Sequence, residues 1–188
     1  MLNKSFFSQL KKDYQSQISE RRQIISAANN ILHDAKRVIF ALHRGDVKTA
    51  TVSLTDIEDR LKKLEKSFGY ARLNQEGAYT AAVEEYAEAK LFFLVTTEKK
   101  LEKFKGINIS TDAYLGGLSD LLGEMARQAV NLAADGKNDE VKKLLSLARD
   151  IMAELINFDM SGYLRTKYDQ AGNHLRKLEQ INYEIRQK

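Results

Sequence analysis

The sequence contains neither cysteine nor proline. Without cysteine the chain can form no disulfide and offers no thiolate as a metal ligand or nucleophile. Because proline in a helix interior breaks the helix, its absence favours long helices and an all-helical fold. The longest purely apolar runs, of which Leu91–Val95 is one, are far shorter than a membrane span. Residues 1–15 lack the apolar core of a signal peptide, so we expect a soluble, cytoplasmic protein with no membrane partner.

The charge of the chain is unevenly distributed, although its net value is only +4. Residues 1–68 carry 13 basic and 8 acidic side chains, residues 69–160 carry 11 and 15, and residues 161–188 carry 6 and 3. Basic ends around an acidic middle fit a protein that binds a polyanion and acts on it with acidic residues. They fit ordinary scatter of surface charge equally well. The 188 residues, 43% of them hydrophobic, suit a single domain over 1–188.

Apolar residues recur at intervals of three and four through most of the chain, which predicts helices. The predicted helices cover residues 5–44, 47–67, 74–104, 111–136, 139–158 and 162–186. No strand alternation or internal repeat interrupts them. Because the connections are short, we predict an all-α antiparallel bundle of about six to seven helices. The last helix keeps a near-heptad apolar stripe, which predicts packing against a second subunit.

The fourth predicted helix combines a wide apolar face with two acidic residues. Asp120 and Glu124 lie four residues apart, so their side chains stack one helical turn above the other. Three glycines, Gly116, Gly117 and Gly123, each cost about 1 kcal/mol of helix propensity relative to alanine. We expect a compensating reason for that cost, such as the close approach of another backbone. The helix is therefore predicted to present a carboxylate pair to a site.

The third predicted helix carries a second acidic pair in apolar surroundings. Glu85 and Glu88 are three residues apart and share a face, whereas Glu84 lies about 100° away. If they face Asp120 and Glu124, four carboxylates would repel one another and take up protons. A divalent Mg²⁺ or Mn²⁺ would relieve that repulsion and could activate water for phosphodiester hydrolysis. Acidic pairs at this spacing are also common on solvated helix faces, so that alternative stays open.

The first predicted helix presents a basic face that is able to grip a phosphate backbone. The side chains that we assign to nucleic-acid contact are Arg22, His33, Lys36, Arg37 and Arg44. A solubilising outer face would have the same composition. Tyr14, Phe40 and Tyr183 are able to stack on unpaired bases, although core packing is the expected use of Phe40.

Other catalytic classes find little support in the sequence. A di-iron bundle needs Glu-x-x-His pairs, and none of His33, His43 and His174 has that spacing. No Walker loop, GxSxG or Rossmann fingerprint is present. Three interpretations remain: a metal-dependent nuclease, a nucleic-acid-binding protein without catalysis, and a structural helical oligomer.

Four segments resemble the translin superfamily, and together they span most of the chain. They are Ala35–Gly45, Val83–Phe93, Asp112–Gly136 and Tyr163–Arg186. Within the superfamily the sequence is more similar to translin-associated factor X than to translin. The factor X patterns E-Y-x-E and D-L-x-G-E occur here at Glu85–Glu88 and at Asp120–Glu124. Translin itself is apolar where Glu85 and Glu88 stand and lacks the aspartate.

The resemblance implies a translin-like fold, Mg²⁺-dependent endoribonuclease activity and a closed homo-oligomeric shell, an octamer, with RNA inside. Glu85, Glu88 and Asp120 match the family's catalytic acids and would bind Mg²⁺ or Mn²⁺. Glu124 is shared with the inactive translin branch and would be a supporting metal ligand or a structural residue.

The resemblance also implies the partners. The expected one is RNA, single-stranded or a short duplex, with single-stranded DNA as a further candidate. The chain lacks the longer loops of eukaryotic factor X and resembles a prokaryotic, archaeal-type version that would assemble with itself. The alternative function is that of a non-catalytic single-stranded RNA- or DNA-binding protein of translin type.

Overall fold

The computed structural model describes residues 1–187, which fold into seven α-helices with no β-strand among them. The all-α prediction and the expected number of helices are therefore confirmed. In chain order the helices are α1 (Lys4–His43), α2 (Val47–Phe68), α3 (Tyr70–Leu73), α4 (Gly77–Thr96), α5 (Thr111–Ala134), α6 (Asn138–Leu155) and α7 (Gly162–Arg186).

The helix predicted over residues 74–104 is wrong at its C-terminal end, because α4 stops eight residues earlier and 97–110 form no helix. Glu98 has a φ of 52°, the left-handed conformation in which helices often end. The next amide, that of Lys99, donates a hydrogen bond of 2.8 Å back to the Leu94 carbonyl. The lysine-rich segment that follows consists mostly of good helix formers, so its composition gave no stop signal.

Helices joined by short connections pack antiparallel, as predicted. The turn between α1 and α2 places Arg60 of α2 beside Asp34 of α1, with 2.7 Å between Nη2 and Oδ2. The last two helices are paired in the same way, since Arg149 of α6 contacts Glu179 of α7 at 2.8 Å.

The helices that build the interior run parallel to one another. Lys36 and His43 of α1 lie beside Glu85 and Phe92 of α4, so residue numbers rise together on both helices. The same order of contacts joins α4 to α5 and α5 to α7, through Glu84–Gly116, Glu88–Gly117, Asp120–Lys167 and Gly123–His174. Parallel neighbours require a crossover, which α2, residues 97–110 and α6 provide.

Helix α4 is buried on most of its circumference, as its apolar composition predicts. Tyr79, Tyr86 and Phe92 are all but inaccessible to solvent. The Tyr86 hydroxyl donates a hydrogen bond of 2.9 Å to Glu58, so this buried polar group is satisfied. A carboxylate carried by α4 is therefore close to the protein interior.

The N-terminal part of α1 extends away from the rest of the fold, and residues 1–17 are all exposed. Phe6, Leu10 and Tyr14 form an unburied apolar row along it at intervals of four residues. No helix within residues 1–187 is both long enough and apolar enough to cross a membrane.

Candidate functional site

Two acidic pairs face each other across the interface between α4 and α5. We call Glu85, Glu88, Asp120 and Glu124 the acidic cluster. The structure brings all four into electrostatic range, because the other three carboxylates each raise the pKa of Glu88. The four carboxylates therefore interact electrostatically, while the site that the sequence predicted for them stays a prediction.

The glycines of α5 explain how the two helices come so close. A Cβ at Gly117 would lie 2.8 Å from the Glu88 backbone nitrogen and 3.0 Å from the Glu84 carbonyl oxygen. This confirms the predicted close approach of a second backbone. Gly116 and Gly123 instead make room for side chains, those of Glu84 and His174.

Glu88 is the most buried member of the acidic cluster, with 9% of its surface exposed. No hydrogen bond or ion pair joins its carboxylate to another side chain within residues 1–187. Burial, followed by the charges of Asp120, Glu85 and Glu124, raises its pKa from 4.5 to about 9. A carboxyl group in this position keeps a proton at neutral pH until a cation takes the proton's place.

Burial also raises the pKa values of Glu85 and Asp120, but nearby ammonium groups oppose the shift. Lys36 of α1 lies with its Nζ 3.9 Å from Glu85 Oε2. Lys167 of α7 contacts the Asp120 carboxylate directly. The cluster is thus partly neutralised by lysines from two other helices, which differs from the uncompensated cluster that the sequence suggested.

Glu124 has its own partner in His43 of α1. The His43 side chain is only 5% exposed, and its ring nitrogens contact Glu124 and, at 3.0 Å, Oε1 of Gln128. His43 also packs against Phe92, with 4.8 Å between ring centroids. His43 belongs to α1 as well, but its side chain lies in the interior, where it contacts Glu124.

Glu84 points toward α7 and connects to the acidic cluster indirectly. Its Oε1 accepts hydrogen bonds from the Tyr163 hydroxyl at 2.6 Å and from Lys167 Nζ at 3.0 Å. Because the same ammonium contacts Asp120, Lys167 bridges Glu84 and the cluster.

The donor chemistry of the cluster fits a hard divalent cation, since it offers carboxylate oxygens, and those of Glu88 pair with no other side chain within residues 1–187. As placed, however, no three histidine, aspartate or glutamate side chains within residues 1–187 surround a single point closely enough to hold an ion. Asp120 and Glu124 are engaged instead by Lys167 and His43. Metal binding would therefore need these side chains to rearrange.

The five side chains assigned to nucleic-acid contact are all exposed, four of them on α1 and Arg44 at the residue that caps its C-terminal end. Arg37 Nη1 lies 3.4 Å from the Asp34 carboxylate, which offsets part of the local positive charge, and His33 Nδ1 lies 3.9 Å from the same carboxylate. Lys36 is the residue that links this basic face to the acidic cluster. The expectation that Phe40 packs in the core is wrong, because its ring is 50% exposed and the Arg127 guanidinium lies 5.1 Å from its centroid.

Sequence reasoning missed the contribution of α7. Tyr163 and Lys167 lie four residues apart and therefore on one face of that helix, and this face meets α4 and α5. The spacing was visible in the sequence. What was not visible is that α7 packs alongside α5, since that contact joins residues 47 positions apart.

The chain is similar to known proteins over almost its whole length. Residues 19–187 match the sequence model of the Translin family. The protein MJ0175 of Methanocaldococcus jannaschii, described as uncharacterized, is 24% identical over 172 residues, which cover 90% of this chain and 73% of that protein.

Solved structures share the fold. The crystal structure of apo-NeC3PO has a TM-score of 0.87 at 21% identity, with 98% of each chain covered. The structure of an AfC3PO complex with duplex RNA has a TM-score of 0.84 at 18% identity, with 96% of each chain covered.

Proposed function

This chain belongs to the Translin family, and from that premise we propose that it is a divalent-metal-dependent endoribonuclease that cleaves RNA enclosed by several copies of itself. The observation that carries the proposal is the burial of Glu88, without a partner, among three further carboxylates. Glu88 is the buried member of the cluster, whereas the side chains of Glu85, Glu124 and Asp120 are 19%, 22% and 26% exposed. A buried carboxylate among like charges is costly unless a cation or a proton compensates it. A fully solvated acidic face would not incur that cost.

Glu85, Glu88 and Asp120 would hold Mg²⁺ or Mn²⁺, with Glu124 as a supporting ligand. When bound, such an ion supplies Lewis-acid stabilisation of phosphoryl charge and lowers the pKa of water. Contacts within the chain position these proposed ligands. His43 holds the Glu124 carboxylate, and the α4–α5 contact fixes the separation of the two acidic pairs. Glu88 must release its proton before it can act as a ligand.

The basic face of α1 would deliver RNA to this site. Arg22, Arg37 and Arg44 are exposed and can bind backbone phosphates without reading bases. Lys36 lies between that face and Glu85, so a phosphate bound there would stand next to the acidic cluster. The AfC3PO structure contains duplex RNA, which supports RNA as the ligand of this fold.

Self-assembly into a closed octamer is part of the proposal. The exposed apolar row on α1 supports it, because water-exposed apolar rows on helices commonly become subunit contacts.

The test is cleavage of end-labelled single-stranded and duplex RNA by the wild type and by Glu88→Gln, with RNA binding measured in parallel. Gln keeps the shape of the side chain and removes the charge. We expect cleavage with Mg²⁺ or Mn²⁺, none in EDTA, and a loss of about 100-fold or more in the variant. Cleavage that persists in EDTA, or that is equal in the variant, would contradict the proposal.

A second candidate is a translin-type nucleic-acid-binding protein without catalysis. The observation that favours it is that Lys36 and Lys167 already compensate part of the acidic charge, while His43 contacts Glu124. This candidate predicts RNA binding that weakens steeply with salt and no cleavage with any metal by either protein.

A further inference from the structure

The ammonium group of Lys167 contacts the carboxylate of Asp120, one of the proposed metal ligands. We propose that Lys167 is a built-in cation that competes with divalent metal for Asp120, and that Glu84 and Tyr163 form the seat to which it withdraws when metal binds. The inference rests on the proposed metal site, and it assigns a regulatory role to three residues that lie outside the proposed ligand set.

The contacts of Lys167 support competition. Its side chain is only 16% exposed, and its Nζ contacts the Asp120 carboxylate while lying 3.0 Å from Glu84 Oε1. An ion bound to Asp120 would place two positive charges within a few ångströms of each other in a poorly solvated site. Such like-charge repulsion is much stronger there than in water. A metal ion and the Lys167 ammonium therefore cannot both contact the Asp120 carboxylate without a large electrostatic penalty.

Two neighbouring residues, Gly116 and Tyr163, hold the Glu84 side chain in its position beside Lys167. A Cβ at Gly116 would lie 2.6 Å from the Glu84 carboxyl carbon, so only glycine leaves room for this side chain in its present position. The Tyr163 hydroxyl donates to Glu84 Oε1 at 2.6 Å and holds it from the other side. Glu84 is thus fixed beside Lys167, although it is no member of the acidic cluster.

The two positions of the ammonium are close together. Because Nζ already bridges Glu84 and Asp120, release of Asp120 requires only a torsional change of the flexible lysine stem. The ammonium also lies near the Tyr163 ring, 5.3 Å from its centroid, which gives the withdrawn charge a second favourable contact. The arrangement lets the chain fold without metal and lowers its metal affinity.

Manganese binding measured by electron paramagnetic resonance of free Mn²⁺, on the full-length protein, tests the inference without any RNA. Lys167→Met should bind Mn²⁺ about tenfold or more tightly than wild type, because it removes a buried competing charge. Lys36→Met is the matched control. Lys36 is 55% exposed and lies 3.9 Å from Glu85, so its loss should change the affinity by less than about threefold.

A double-mutant cycle separates the seat from simple loss of negative charge. Glu84→Gln should weaken Mn²⁺ binding in the wild-type background, because Lys167 then has only Asp120 to pair with. In the Lys167→Met background the same change should have little effect. Lys167→Arg keeps the charge and can bridge both carboxylates with its planar fork, so it should fold normally and bind Mn²⁺ more weakly than wild type.

Each outcome has a distinct meaning. Equal or weaker Mn²⁺ binding by Lys167→Met, with wild-type binding intact, would overturn the competition and leave the proposed nuclease site standing. Unchanged binding by Lys167→Arg would also overturn it, even if the methionine variant failed to fold. If neither wild type nor Lys167→Met bound Mn²⁺ at millimolar concentration, both the inference and the proposed metal site would fail.

Discussion

The backbone amide of Glu88 lies directly over Gly117, where an added Cβ would stand only 2.8 Å from its nitrogen. A backbone atom cannot rotate away as a side-chain end can. Gly117→Ala should therefore push α4 from α5 and destabilise the fold by about 1–3 kcal/mol, despite alanine's higher helix propensity. Urea denaturation followed by circular dichroism measures this change.

Gly172→Ala is the control for that substitution. Gly172 lies inside α7, and a Cβ there would meet only the Met152 methyl group at 3.8 Å, an ordinary contact. This variant should be neutral or more stable by up to about 1 kcal/mol. If Gly117→Ala were as harmless as Gly172→Ala, the tight contact between α4 and α5 would be wrong.

The raised pKa of Glu88 predicts how the stability of the metal-free protein depends on pH. The folded state keeps a proton between the ordinary value of 4.5 and about 9, whereas the unfolded state has released it. The contribution of the protonated Glu88 to the free energy of unfolding is therefore complete below pH 4.5 and is lost as pH rises through about 9. Over that interval the free energy of unfolding should fall by up to about 1.4 kcal/mol per pH unit.

Glu88→Gln should flatten this decline, because the amide does not titrate. A residual slope of the same sign is expected from Glu85 and Asp120, whose pKa values are also raised by burial. Glu98→Gln is the matched control, since Glu98 is solvent-exposed at the end of α4. Denaturation in EDTA at several pH values gives the comparison, and a wild type whose stability increased toward pH 9 would contradict the placement of Glu88.

The sequence predicted those features that depend on neighbouring residues. The 3–4 spacing located the helices, and the spacing within each acidic pair placed Glu85 with Glu88, and Asp120 with Glu124, on one face of its helix. It failed where the outcome depends on distant contacts. Lys167 meets Asp120 only because crossovers bring α7 beside α5, and local periodicity contains no such information.

Burial was also hard to predict for single aromatic residues. Phe40 is apolar and sits in an amphipathic helix, yet it lies at the rim of the buried face and is half exposed. His43, three residues on, turns inward because Glu124 and Gln128 offer it hydrogen-bond partners from α5. The helical period predicts the direction of these side chains around α1 only approximately. Which of them is buried depends on the helix that packs against α1.

The basic face of α1 should govern RNA affinity through charge alone. Replacing Arg22, Arg37 and Arg44 together by alanine should weaken binding similarly for all RNA sequences. The slope of log affinity against log salt should become shallower by about 2–3. Each phosphate contact releases a counterion when RNA binds, so a variant with fewer contacts releases fewer counterions. Fluorescence anisotropy with labelled RNA at several salt concentrations measures both effects.

A control triple variant on α6 separates this effect from a change in net charge. Lys142, Lys143 and Arg149 are exposed and lie on a different helix, so alanines there remove the same charge. RNA affinity and its salt slope should stay close to those of wild type. Equal loss in the two triple variants would mean that RNA binding follows net charge and that the α1 face has no special role.

The apolar row of Phe6, Leu10 and Tyr14 should be needed for assembly but not for folding, because all three side chains are exposed in the single chain. Phe6→Glu combined with Leu10→Glu places two charges in any contact formed by that row, which is costly to bury. Multi-angle light scattering should show a smaller species, while the helical circular dichroism signal remains. Lys4→Glu with Lys11→Glu, which changes charge beside the row, is the control and should leave the mass unchanged. A wild type that is monomeric at micromolar concentration would remove the enclosed site from the proposal. An intact oligomer in the double-glutamate variant would place the subunit contact elsewhere. The apolar stripe of α7, which the sequence predicted to meet a second subunit, packs instead against the core of its own chain.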